Sequence, residues 1–196
     1  MLIFPFIALL FAASSASAQG NVEYNAAHNV TPITGTWSSG SKHVVTGPGF
    51  ANPAQETFTY PKTTGVGYSF SDDGWYEIAR YRFASNASEP NCIIGTVVWV
   101  HGHYELLGNG SIILTPAGDG YQQVQAPCAA TSNFIQNYNY TEMFQHWQIV
   151  SDVNGGGGPK LQLFQFDGAP VAPLYLLSTE PNMLPKQVLR NVSATS

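Results

Sequence analysis

Charged side chains are scarce in this sequence. They make up 10% of residues, against about 25% in ordinary globular domains. Lysine and arginine together number only seven and are scattered along the chain, and the net charge of −5 is mild. Nucleic-acid binding needs clustered basic residues that neutralise phosphates, so the composition argues against a nucleic-acid partner.

Long apolar runs are also rare. The one candidate spans residues 2–13 and is followed by small residues that end in Ala-Ser-Ala at 16–18. This pattern is typical of a cleaved signal peptide, although it lacks the usual basic residue before the apolar run. The run is shorter than the roughly 20 residues that a membrane-spanning helix needs. We therefore expect a signal peptide at 1–18, a mature chain that begins near Gln19, and no membrane anchor in the sequence given.

Only two cysteines are present, Cys92 and Cys128. An even cysteine count in a secretory protein most simply means one disulfide bond. Closing a loop of about 37 residues would stabilise the fold by roughly 4 kcal/mol on the loop-entropy model. No C-x-x-C pair occurs, so the cysteines do not form a thioredoxin-like redox motif.

A weakly charged chain with 13% aromatic residues needs another source of solubility. Asn-x-Ser/Thr acceptor sites, which carry bulky hydrated glycans in secreted proteins, supply one. They occur at Asn29, Asn86, Asn109, Asn139 and Asn191. We expect several of them to be glycosylated, with Asn29 the weakest because Pro32 follows its threonine.

Sustained helical periodicity is missing as well. Short runs rich in β-branched and aromatic residues alternate with Gly, Pro, Asn and Asp clusters, which is the pattern of an all-β domain. We predict about ten strands, near residues 35–38, 42–46, 67–71, 75–83, 92–105, 111–115, 121–125, 143–153, 160–166 and 174–177. The sequence thus divides into a loose N-terminal arm at 19–34, one β domain at 35–185 and a C-terminal tail at 186–196. Asp72-Asp73-Gly74, Asn109-Gly110 and Asp119-Gly120 are predicted turns.

The predicted strand at 92–105 indicates how the sheet is covered. Its side chains are apolar on both faces between residues 92 and 100, which is typical of a strand inside a sandwich or in a covered barrel wall. The consecutive strand order favours an antiparallel up-and-down barrel or sandwich. Gly35-Thr36-Trp37 before the first strand resembles the opening of lipocalin-type barrels, so we expect a lipocalin-like arrangement.

Candidate catalytic and metal-binding groups do not form a recognisable set. His101 and His103 lie on one face of a strand, with His146 or Glu105 as a possible third zinc ligand, but no complete ligand spacing follows. The acids available for a glycosidase pair are Asp72, Asp73, Glu77, Glu105, Glu142, Asp152 and Asp167. No G-x-S-x-G elbow or phosphate-binding glycine loop occurs. We therefore expect no catalytic residues, no metal site, no cofactor and no enzymatic activity.

Aromatic residues could instead form a binding surface for sugars or for apolar segments of another protein. Core packing accounts for most of them. The candidates are Tyr60, Tyr68, Phe70, Trp75, Tyr76, Tyr81, Phe83, Tyr138 and Tyr140.

Several short strings together resemble one fungal family, the endoplasmic-reticulum chaperones named for reversing the lethality of a TOR-kinase mutant (the Rot family). These strings are GTWSS at 35–39, TGPGF at 46–50, YSF at 68–70, DG at 73–74, HG at 101–102, NGS at 109–111, FDG at 166–168, PLY at 173–175 and MLP at 183–185. They keep a consistent order over nearly the whole mature chain.

The resemblance implies a glycosylated protein of the endoplasmic reticulum that assists folding of secretory and cell-wall proteins, with effects on cell-wall 1,6-β-glucan and on glycoprotein biogenesis. Its implied partners are non-native secretory chains and other lumenal chaperones, and it implies no catalytic residues. Family members usually carry a membrane anchor after the lumenal domain, whereas the sequence given stops at Ser196. We therefore expect either a truncated form of an anchored protein or a soluble lumenal or secreted one. Two alternatives stay open, a lipocalin-like carrier of a small apolar or glycan ligand and a glucan-active enzyme of the cell wall.

Overall fold

A computed structural model describes residues 30–152 and 158–192 of the chain. The predicted signal peptide, most of the predicted arm and the acceptor Asn29 lie outside these ranges. Thirteen strands are present, and the described residues contain no helix. No helix capable of crossing a membrane therefore occurs in this part of the chain. The strands are β1 (Gly35–Ser39), β2 (Ala51–Asn52), β3 (Thr57–Phe58), β4 (Gly65–Phe70), β5 (Trp75–Asn86), β6 (Glu89–Leu106), β7 (Ile112–Pro116), β8 (Tyr121–Gln125), β9 (Phe134–Asn137), β10 (Glu142–Phe144), β11 (His146–Ser151), β12 (Pro159–Phe164) and β13 (Leu174–Ser178).

One antiparallel sheet contains most of these strands. Its order is β10-β7-β6-β5-β4-β1-β13-β12-β11, with β8 added beside β6 and β9 beside β8, while β2 and β3 form a separate hairpin. The two edge strands of the main order, β10 and β11, are separated in the chain only by Gln145, so the sheet curls until both edges meet in one segment. Within the described ranges no ladder joins β10 to β11. The predicted all-β antiparallel fold is confirmed, as a curled, sandwich-like sheet rather than a closed barrel.

Each face of the curled sheet buries its own set of apolar side chains, because β-strand side chains alternate between faces. The main core lies inside the curl and contains the fully buried Trp37 and Trp147. The outer cluster lies on the other face and contains Trp99 and Tyr121. The predicted two-faced burial of β6 is correct here, since Val100 joins the main core while Trp99 joins the outer cluster.

Two of the predicted turns connect hairpins as expected. Gly74, between β4 and β5, has φ 86°, and Gly110, between β6 and β7, has φ 87°. Such backbone angles favour glycine, because a Cβ atom makes them strained for other residues. These two turns join β4 to β5 and β6 to β7, which pair as antiparallel neighbours.

Other details differ from the sequence-based prediction. Residues 42–46 form no strand, and the predicted strand at 143–153 is interrupted at Gln145. The ends of the domain also extend further than predicted. Ile33, which we assigned to the loose arm, is fully buried in the main core, and Leu189, which we assigned to the tail, packs on the outer cluster.

Candidate functional site

The β5–β6 hairpin extends past its neighbours in the sheet. Pairing of β4 with β5 stops at Tyr81, and pairing of β8 with β6 stops at Gly95. Beyond these points β5 and β6 still pair with each other in register as far as Ser85 and Ile93 and, after an irregularity, at Asn86 and Glu89. Residues 82–94 thus form a two-stranded ribbon, and none of the described strands pairs with either of its outer edges.

Apolar side chains on this ribbon are exposed. The ribbon patch, as we name it, consists of Phe83 and Ile93 on one face of the ribbon, Ile94 on the other face, and the adjacent Tyr60. These side chains are 56%, 50%, 41% and 43% exposed. Tyr60, Tyr81 and Phe83 follow one another, with ring centroids 6.0 and 5.1 Å apart. Side chains of this size are usually buried, and a cluster of exposed ones marks an interaction surface.

The disulfide bond fixes the ribbon to the rest of the domain. Cys92, near the ribbon end of β6, is bonded to Cys128 in the loop between β8 and β9, with the Cα atoms 5.6 Å apart. Beside the bond, a cavity of about 200 Å³ is lined mainly by Ile93, Ile94, Pro127 and the two cysteines. The bond therefore holds the patch in place and adds an apolar recess to it.

The outer cluster contains a buried polar network. The Glu77 carboxylate accepts hydrogen bonds from the backbone N–H groups of Gly47 and Leu184, each at 2.6 Å. His101 lies 3.0 Å from Asp119, which also accepts a 2.6 Å bond from the N–H of Leu189. Two buried carboxylates thereby bind the C-terminal segment to the outer face of the sheet.

The two carboxylates respond differently to burial. Burial raises the pKa of Glu77, against the opposing effect of its two backbone donors. Burial also acts to raise the pKa of Asp119, but the hydrogen bonds from His101 and Leu189 outweigh it and hold that pKa below its ordinary value of 3.8. The charged Asp119 therefore stabilises the folded state fully above pH 3.8, and this contribution is lost as the pH falls through the lowered folded-state pKa.

An Asp119→Asn variant is expected to be about 1–2 kcal/mol less stable than the wild type at pH 7, because it loses a charged acceptor for two buried donors. The difference should shrink below pH 3.8, because the carboxylate of the unfolded chain takes up a proton there while the folded protein keeps its charge down to its lowered pKa. Chemical unfolding at pH 7 and pH 3 measures both values. Asp72→Asn, at an exposed turn position, is the control, and a difference for Asp119→Asn that is equal at both pH values would contradict this reading.

A second ion pair lies on the core side of β5, at one end of the main core. Arg80 forms a two-pronged pair with Glu142 at 3.0 and 2.9 Å. It also donates to the hydroxyl groups of Tyr138 and Tyr68 at 3.1 and 3.2 Å. Such planar, bidentate pairing fixes both side chains.

A Glu142→Gln variant is expected to lose about 2 kcal/mol of unfolding free energy, because it leaves the charge of a largely buried Arg80 without its partner. The expected loss is below that of a fully buried pair, since the Glu142 side chain retains 20% exposure. Chemical unfolding measures the loss. The matched Glu105→Gln change, at an exposed position of β6, should cost less than 0.5 kcal/mol by the usual behaviour of surface substitutions, and equal costs for the two variants would contradict the assigned role.

The three histidines considered as zinc ligands each contact a different group. His101 pairs with Asp119, His103 packs on the Trp75 ring at 4.2 Å, and the His146 ring contacts Phe164 at 5.5 Å. Among the described residues no three His, Cys, Asp or Glu side chains converge as a metal site would require. Two of the acids considered for a glycosidase pair have other roles. The Glu77 carboxylate accepts hydrogen bonds from backbone N–H groups, and Asp72 lies in an exposed turn.

Several of the predicted glycan acceptors lie on the surface, whereas some of the aromatic candidates lie in the core. Asn109, Asn139 and Asn191 are exposed, and the backbone of Asn86 lies at the ribbon end of β5. Of the nine aromatic candidates, Tyr68, Phe70 and Tyr76 are buried in the main core. Ile93 and Ile94 were not among the predicted surface residues, because nothing in the local sequence shows where the neighbouring strands end.

Comparison with known proteins identifies a protein family that the chain matches. Residues 33–196 match the model of the fungal Rot1 family, described as a chaperone for protein folding within the endoplasmic reticulum. No solved structure matches the chain.

Curated fungal relatives match over most of the chain. Protein rot1 of Botryotinia fuckeliana is 43% identical over 86% of this chain and 64% of its own length. Protein rot1 of Aspergillus niger is 39% identical over 97% of this chain and 77% of its own length. Protein ROT1 of Debaryomyces hansenii is 40% identical over 86% of this chain and 70% of its own length. The chain thus spans roughly two thirds to three quarters of the length of these relatives.

Proposed function

Because the chain belongs to the Rot1 family of fungal chaperones, we propose that it assists the folding of secretory proteins in the endoplasmic reticulum by binding their exposed apolar segments at the ribbon patch. The patch is the observation that carries this proposal. Phe83, Ile93 and Ile94 are exposed on a hairpin that a disulfide bond ties to the loop between β8 and β9.

A surface of this kind suits non-native chains. An unfolded segment exposes apolar side chains that a native protein buries, and contact with the patch removes both surfaces from water. The unpaired edges of the ribbon also offer backbone hydrogen bonds to an extended segment. Neither contribution depends on the particular sequence of the client, so many clients can be accommodated.

Binding of this type needs no nucleotide cycle, so we propose that the chaperone acts without ATP. The test is light scattering of a chemically denatured secretory protein diluted into buffer without nucleotide. Purified protein in equimolar amount should suppress the aggregation, and bovine serum albumin at the same mass concentration is the control. No suppression at several-fold molar excess would defeat the proposal.

We further propose that the clients include cell-wall and glycosylated proteins, and that loss of this activity disturbs cell-wall 1,6-β-glucan and glycoprotein biogenesis. The proposed site of action is the lumen of the endoplasmic reticulum. Other lumenal chaperones are proposed as partners, since clients released unfolded need further assistance.

N-glycans are proposed at Asn86, Asn109, Asn139 and Asn191, and at Asn29. Three of these acceptors are exposed, and hydrated glycans there would keep a weakly charged surface from self-association. Protein purified from a fungal host is expected to lose mass in several steps during limited deglycosylation. An unchanged mass after complete enzyme treatment would contradict the proposal.

The interior of the curl favours a chaperone over a small-molecule carrier. A lipocalin-like carrier would hold its ligand inside the sheet, but Trp37, Phe70, Tyr76 and Trp147 are packed there and are essentially inaccessible to solvent. The apolar side chains of the ribbon patch, by contrast, are accessible and lie outside the main core.

A further inference from the structure

A cavity of about 360 Å³ opens beside the Arg80–Glu142 pair, between β4, β5, β10 and the turn that follows β12. Its floor is polar, with Arg80, Glu142 and Tyr138, and its rim is apolar, with Met143 and Phe166. It is separate from the ribbon patch, because none of the residues that line the cavity belongs to that patch. None of the roles assigned above uses this cavity.

The floor has more hydrogen-bond donors than acceptors. The four terminal N–H bonds of Arg80 are matched by Glu142, Tyr68 and Tyr138. Its remaining donor, Nε–H, is buried and has no acceptor among the described residues. A buried donor without an acceptor is costly, and Arg80 is only 8% exposed.

Positive charge is also in excess at this site. Arg82 lies two residues from Arg80 on the same face of β5 and lines the cavity. It forms no ion pair with any residue in 30–152 or 158–192. Partial loss of solvent around its guanidinium group, and then repulsion from Arg80, lower the pKa of Arg82, although the side chain keeps contact with water at the mouth of the cavity. Glu142 balances only one of the two guanidinium groups, so the cavity carries one positive charge within a protein of net charge −5.

The rim adds a preference for an apolar group. Phe166 is 72% exposed and Met143 is 46% exposed, although both side chains are of types that usually lie inside a fold. An apolar body resting against them would be within reach of the donors below.

We propose that this cavity binds a carboxylate next to a bulky apolar side chain, as found in an acidic segment or at the C-terminus of a non-native polypeptide. Arg82 would pair with the carboxylate, and Met143 and Phe166 would contact the apolar side chain. The inference rests on the proposed function, because it names the client chemistry that a second surface of the protein selects. A neutral sugar would leave the charge of Arg82 unmatched, so it fits the cavity less well.

The test is fluorescence anisotropy with labelled hexapeptides. One peptide has the sequence Gly-Ser-Gly-Leu-Phe-Glu with an amidated C-terminus, a second replaces Glu by Gln, and a third carries Gln with a free C-terminal carboxylate. The acidic peptide, the free-acid peptide or both should bind about tenfold more tightly than the neutral one, as one charge-assisted hydrogen bond would produce. Which of the two binds identifies the source of the carboxylate, and equal affinity for all three overturns the proposal.

An Arg82→Gln variant should reduce that preference about tenfold, whereas Lys62→Gln, which also removes an exposed positive charge, should retain it. Thermal unfolding of both variants checks that they remain folded. An unchanged preference in folded Arg82→Gln, or tight binding of a neutral oligosaccharide that competes with the peptide, overturns the proposal.

Wild-type suppression of aggregation is measured in parallel. Intact suppression without peptide selectivity defeats this inference alone, and loss of both defeats the proposed function.

Discussion

A Phe83→Ser/Ile93→Ser variant is expected to lose most of its ability to suppress client aggregation while retaining its fold. Burying a large apolar side chain against a client is worth about 1.5–3 kcal/mol relative to leaving it in water. Losing two such contacts should weaken client binding by roughly tenfold or more. The light-scattering assay at increasing ratios of chaperone to client measures the loss as a higher ratio for half-maximal suppression.

The fold should be spared because these side chains are 56% and 50% exposed. Val188→Ser is the matched control, since Val188 is 59% exposed and lies outside the ribbon patch. Both proteins should unfold at similar denaturant concentrations. Full suppression by the folded double variant would place the client surface elsewhere.

A Cys92→Ser/Cys128→Ser variant is expected to lose roughly 4 kcal/mol of unfolding free energy, since the bond closes a loop with a sequence separation of 36 residues and restricts the unfolded chain. A second effect should appear at the ribbon. Cys92 lies in the part of β6 that β8 no longer covers, so without the bond the ribbon is held only by the pairing of β5 with β6.

Equilibrium unfolding of the variant, and of the wild type with and without reductant, measures the stability change. The reduced wild type should resemble the variant, which separates loss of the bond from the effect of serine. Suppression of aggregation by the variant should also fall at temperatures where it is still folded. A stability loss below about 1 kcal/mol would contradict the structural role assigned to the bond.

The sequence predicted those parts of the fold that depend on neighbouring residues. Gly74 and Gly110 follow the turn-forming residues Asp73 and Asn109, so the hairpins they close could be read directly. Asp119-Gly120 illustrates the opposite case. The positive φ falls on Gly118, and β7 and β8 pair with different parts of β6 rather than with each other.

Asp119 itself shows why this prediction was wrong. An aspartate followed by glycine favours a solvated turn, but this carboxylate is buried against His101 and the N–H of Leu189. Leu189 is 70 residues away in the chain. No local pattern predicts a partner at that distance.

The candidate sites were only partly predictable for the same reason. Alternation on β6 predicted apolar faces, and Val97 and Trp99 are indeed buried. Ile93 and Ile94 continue the same pattern but are exposed, because β8 stops pairing at Gly95. Whether an apolar residue on a long strand is buried depends on where its neighbours end, and the strand's own sequence does not contain that information.

Photo-crosslinking from the ribbon tests the central claim most directly. A benzophenone amino acid placed at Phe83, and in a separate protein at Val188, is irradiated while a denatured secretory protein is diluted into the sample without ATP. The account predicts strong crosslinks to the non-native client from position 83, few from position 188, and none from position 83 once the client is native. Equal crosslinking from both positions, or crosslinking of the native client, would contradict it.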